Sequence, residues 1–104
     1  MDYLSRIRVV LGVYEQDELL RELIDITKEK IISYLNVNEI PQSLSWILVE
    51  LVVQRFNRIG SEGLVTESVD GKQNSYVKDE LLQYKGYLDE YISQNATKRG
   101  YRLL

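Results

Sequence analysis

The chain has 104 residues, 44% hydrophobic and 28% charged, with one proline, no cysteine and no histidine. That length fits one small domain with a modest core, and the apolar fraction argues against general disorder. The missing cysteines exclude disulfides and thiolate metal sites, and the missing histidines remove the usual neutral-pH base and the commonest transition-metal ligand. What is left for chemistry is carboxylate, lysine, tyrosine and hydroxyl, so composition leans away from an enzyme. The net charge of −3 is unevenly spread: −2 over residues 1–60, −4 over 61–92 and +3 over the last twelve. A basic tail on an acidic body reads either as a solvated terminus or as a docking extension toward an acidic partner.

The N-terminus reads Met-Asp-Tyr-Leu-Ser-Arg, with no apolar signal core, and the most apolar stretch, Leu44 to Val53, is broken by Ser45 and Glu50. That stretch is far short of the roughly 20 residues needed to cross a bilayer. A soluble protein made in the cytoplasm, without a membrane partner, is expected.

In chain order, Tyr3, Leu4, Ile7, Val10 and Leu11 recur at helical spacing and predict a helix over 3–11 that stops at Gly12. A second helix is expected over 17–35, with Asp17 as its N-cap and Glu18 in its first turn. Its apolar stripe is Leu20, Leu23, Ile24, Ile31, Tyr34 and Leu35, with Thr27 as a polar gap, and Asn36 and Asn38 end it. Pro41 suits the opening turn of a third helix over 42–59, closed by Gly60. That helix is apolar almost all round, which predicts a central position with Trp46, Leu48, Leu51 and Phe56 in the core. Glu50, Gln54, Asn57 and Arg58 form its one narrow polar ridge.

The character changes between 61 and 77. Asp70-Gly71 lies between two extended-looking runs, the strongest short-range hairpin signal, because a type I′ turn needs positive φ at both centres. The arms are mostly polar and an isolated hairpin is marginal in water. The segment reads as a mobile loop, or as an arm that orders against another chain. A last helix is expected over 78–93, with Leu81, Leu82, Leu88 and Ile92 inward and Tyr84, Tyr87 and Tyr91 on an adjacent face. Those tyrosines read as the edge of a core or as a partner-facing patch. The expected fold is therefore mainly α: a small four-helix domain with a long loop or β-hairpin arm between the third and fourth helices.

No constellation carries chemistry. The acidic pairs Asp17/Glu18, Asp79/Glu80 and Asp89/Glu90 are adjacent in sequence, diverge on a helix, and read as solvated helix ends. Gly60-Ser61-Glu62-Gly63 lacks the spacing and lysine of a P-loop, and Asp70-Gly71-Lys72 lacks the other ligands of a calcium loop. The apolar helix carries only Arg55 and Arg58, too little for a duplex-reading recognition helix. No catalytic residue, metal site or cofactor is expected.

The run Arg55-Phe56-Asn57-Arg58-Ile59-Gly60-Ser61-Glu62-Gly63-Leu64 carries a resemblance. It follows a Val-Leu-Gly-Val helix end, a Gln-Asp-Glu-Leu-Leu opening and a Tyr-Leu-Asn stop. Ser-Val-Asp-Gly, Ser75-Tyr76 and a final helix come after it. This order is similar to the head–tail connector (DNA-packaging adaptor) proteins of tailed bacteriophages, over residues 3 to 93. The resemblance implies a structural virion protein that forms a ring beneath the portal, completes the DNA-filled head and links it to the next connector or tail component. It implies a cyclic homo-oligomer, dodecameric on the portal, with portal protein, a downstream head-completion or tail protein, and genomic DNA passing through the lumen without sequence-specific binding. Residues 1–95 would be the connector domain and 96–104 the basic tail. The candidate interface arm is Leu64, Val65, Thr66, Val69, Asp70, Gly71, Ser75 and Tyr76. Candidate docking residues are Tyr84, Tyr87, Tyr91, Lys98, Arg99, Tyr101, Arg102, Leu103 and Leu104. The competing reading is a small monomeric or dimeric helical regulator that binds one partner protein through its tyrosine-rich last helix.

Overall fold

In the computed structural model, residues 2–62 and 80–98 are described, and all regular structure among them is helical. Helix α1 spans Tyr3–Leu11, α2 Asp17–Leu35, α3 Ser45–Glu62 and α4 Lys85–Lys98; a single 3-10 turn, Gln42–Leu44, leads into α3. The proposed hairpin and all eight arm candidates lie outside the described residues, as do Arg99, Tyr101, Arg102, Leu103 and Leu104.

Local chemistry sets the helix ends. The Asp2 side chain accepts a 2.8 Å hydrogen bond from the Ser5 amide and caps α1. That bond holds the Asp2 carboxyl below its ordinary pKa. Gly12 closes α1 in the left-handed region at φ 67°, and Asn36 closes α2 at φ 58°, as their residue types suggest. Asp17 is not a cap: Gln16 holds that position without a side-chain bond, and Asp17 opens the first turn. Its carboxylate faces Arg8 of α1 at 3.5 Å, and Arg8 also lies over the Tyr14 ring, 5.0 Å from its centroid. The α1–α2 corner is thus tied electrostatically.

Helices α2 and α3 form the main packed pair, with α1 against both and α4 against α2. Ile7, Leu20, Ile31, Ile47, Leu48, Val52 and Leu88 are fully enclosed, one or more from every helix. Thr27, the polar gap in the α2 stripe, is buried with them. Of the four residues expected at the centre, Leu48 and Leu51 are buried, whereas Trp46 and Phe56 pack on the edge and remain partly exposed. Trp46 stays at the edge because its indole N–H donates to the exposed Ser43 carbonyl.

Two boundaries differ from expectation. Helix α3 runs through Gly60 to Glu62, so that glycine is interior and not a stop. The final helix is not continuous over 78–93. Residues 80–82 are helical, Gln83 and Tyr84 form a turn, and α4 then extends five residues beyond the expected end, to Lys98. At the break the Tyr84 amide bonds to the Leu81 carbonyl at 3.0 Å, a one-turn tightening. It rotates Tyr84 into the core and leaves Leu82, expected inward, 52% exposed.

Candidate docking surfaces

The polar ridge of α3 holds residues 80–84. Tyr84 Oη donates to Glu50 Oε1 at 2.7 Å and accepts from Gln54 Nε2 at 3.1 Å. Gln83 Nε2 donates to Gln54 Oε1 at 3.0 Å. One turn further along, the Arg58 guanidinium pairs with Glu80, whose side chain is 10% exposed. Glu50, Gln54 and Arg58 stand at i, i+4 and i+8, on one face of α3, so the segment runs antiparallel to α3. Glu80 is therefore buried and paired, not a solvated helix end. Burial, and then the bond to Glu50, push the Tyr84 phenol up to about 12.

Asp89 departs from the solvated reading as well. It accepts from Tyr34 Oη of α2 at 2.7 Å and from Lys85 Nζ at 2.5 Å, linking α2 to α4. The bond from Lys85, then that from Tyr34, hold its carboxyl below the usual range, and the same contacts raise the Lys85 ammonium and the Tyr34 phenol.

The three tyrosines do not share one face. Tyr84 is buried, Tyr91 half-buried and Tyr87 55% exposed. Trp46 stands edge-on to two of them, with centroids 5.5 Å from Tyr84 and 5.0 Å from Tyr87. Its indole N–H donates to the Ser43 carbonyl at 3.1 Å, which fixes the ring. Lys98 occupies the last turn of α4.

Beside this aromatic cluster lies an open groove of about 370 Å³ between α1 and α3. Its floor is Trp46, Val49 and Val53, its α1 wall Arg6 and Val10, and its other rim Glu50 and Gln54. Val10 on the wall is 60% exposed and neighbouring Val9 61%. The sequence reading did not single out this groove. Val10 fits the helical spacing of α1, and Val9-Val10 together are more apolar surface than one stripe needs.

Among the described residues, no group of three or more acidic side chains is gathered as a metal site, and no helix is long and apolar enough to cross a membrane. What the described residues do present is a compact all-helical support with an apolar groove and an exposed aromatic rim. The sequence model of the phage gp6-like head-tail connector protein family matches residues 1–92, and the chain belongs to that family. The match spans α1, α2 and α3 and more than half of α4. No curated protein and no solved structure matches the chain. Membership makes it a structural phage protein of the virion that contacts other head and tail proteins.

Proposed function

We propose that the chain forms a ring beneath the phage portal, completes the DNA-filled head and presents the platform for the next connector or tail component. The family match over residues 1–92 carries this reading. The fold supports it, because Arg58–Glu80 brings the end of α3 and the start of the returning segment together. The described ends that flank residues 63–79 thus lie near each other, as the base of an arm would. Leu64, Val65, Thr66, Val69, Asp70, Gly71, Ser75 and Tyr76 would form the contact with a neighbouring subunit, and the tail with Lys98, Arg99, Tyr101, Arg102, Leu103 and Leu104 would meet the portal. A head-to-tail contact uses two different surfaces and closes into a ring when the rotation allows. An arm loses conformational entropy on ordering, so the free protein is a monomer at low concentration. On a portal, where neighbours are held close, effective concentration is high and twelve copies assemble. The acidic body lets DNA pass without phosphate binding. The partner-protein regulator has no separate support, since Tyr84 is withdrawn into the core.

Light scattering of the purified chain, with electron microscopy of portal-bearing heads supplied with it, tests the proposal. A cyclic oligomer seated on the portal is expected. A twofold dimer, or heads that never acquire the protein, would contradict it.

A further inference from the structure

Granting the arm-mediated ring proposed above, the structure also indicates where the arm lands. We propose that the groove between α1 and α3 is the receptor for Leu64-Val65 of a second copy of this chain. Three observations support the assignment.

The groove is apolar at its floor, with Trp46, Val49 and Val53, and its exposed wall residue Val10 is uncovered in the single chain. An aliphatic side chain suits a floor of that kind, because its burial removes apolar surface from water, and an adjacent pair offers one on either side of an extended chain. The rims carry one charge of each sign, Arg6 on α1 and Glu50 on α3. Leu64-Val65 is followed within the same arm by Glu67, Asp70 and Lys72, so the arm brings both signs of charge to those rims.

Chain geometry then excludes the same molecule as the donor. Helix α3 ends at Glu62, thirteen positions beyond Val49 and sixteen beyond Trp46. At about 1.5 Å per residue those side chains lie roughly 20–24 Å back along the helix. Val65 is three residues past Glu62, and three residues reach at most about 10 Å. Leu64-Val65 therefore cannot fold back onto the middle of its own groove. Only another copy can present the pair there. The contact is heterologous, groove to arm, which is the kind that propagates around a ring.

The absence of native cysteine makes the test direct. Val10→Cys places a thiol on the groove wall, and Val65→Cys, in a chain of distinguishable size, places one on the arm. The two proteins are mixed under mild oxidation at concentrations where oligomer forms, or on portal-bearing heads. A disulfide between the two chains is expected, several-fold above that given by Val65→Cys with Glu22→Cys, an exposed control position on α2. Val10→Asp, a change at an exposed site that leaves the fold intact, should abolish ring formation. Rings with no excess cross-link at Val10 would overturn the groove assignment and leave the ring standing. Failure to assemble under every condition would remove both. A disulfide formed mainly within a single chain carrying both cysteines would overturn the assignment as well, because it would show that the arm reaches its own groove.

Discussion

At the level of single side chains, Tyr84 is the residue on which the C-terminal half depends. Its ring closes the core edge against Trp46 while its hydroxyl satisfies both Glu50 and Gln54. A phenol pushed up to about 12 in the fold, against about 10 when unfolded, favours the neutral form in the native state. Its stabilising share is therefore complete below pH 10 and is lost as pH rises from about 10 to about 12. Tyr84 should ionise late in an absorbance titration, and Tyr84→Phe should remove that late step. The Arg58–Glu80 pair behaves differently. It is mostly enclosed, so Arg58→Ala takes its cationic partner from the Glu80 carboxylate and should cost on the order of 1–3 kcal/mol in denaturant unfolding, with Glu80→Ala destabilising as well. A double-mutant cycle that finds no coupling would show that the pair does not anchor the returning segment. In the hydrophobic centre, Leu51→Ala should cost about 2–5 kcal/mol, and Phe56→Ala less than full burial would give because that ring is partly exposed. Leucine periodicity made Leu48 and Leu51 legible in the sequence. The bond from Tyr84 to Glu50 joins residues 34 apart, and no local pattern encodes it.

Among the helices, the ones with strong local signals were the readable ones. Gly12 and Asn36 mark real left-handed stops, and α2 needed nothing beyond its stripe and its caps. Gly60 carries the same residue type but continues a helix, exposed and without the positive φ of a stop. The break before α4 was not legible, since Leu81, Leu82, Tyr84 and Leu88 also fit an uninterrupted helix; it arises where the Tyr84 hydroxyl reaches the α3 ridge. These contexts give glycines opposite signs. Gly86 lies inside α4 and an added Cβ there meets nothing within 4 Å. Gly86→Ala should therefore stabilise by about 0.5–1 kcal/mol, read as a higher melting temperature. Gly12 is equally open but sits at φ 67°, and Gly12→Ala should destabilise by about 1 kcal/mol. Equal shifts of one sign would mean that space, not backbone conformation, decides both sites.

For the whole molecule, family membership and fold agree on a structural connector of helices, and in the ring proposed above the arm between α3 and residue 80 joins the subunits. Composition alone turned attention away from catalysis, because the chain has neither histidine nor cysteine. The groove between α1 and α3 stayed hidden at that stage, since it exists only once two helices far apart in sequence are packed side by side. The family is legible in the order of motifs around Arg55 to Leu64, not in any periodicity. The claim most open to direct test is that residues 64–77 hold the ring together. A variant lacking them keeps all four helices, so circular dichroism should still report a folded helical monomer. Occupancy of portal-bearing heads by that variant, counted by electron microscopy, should fall to background, with no heads completed. Normal occupancy by the deletion variant would contradict the account and assign the subunit interface to the helical faces.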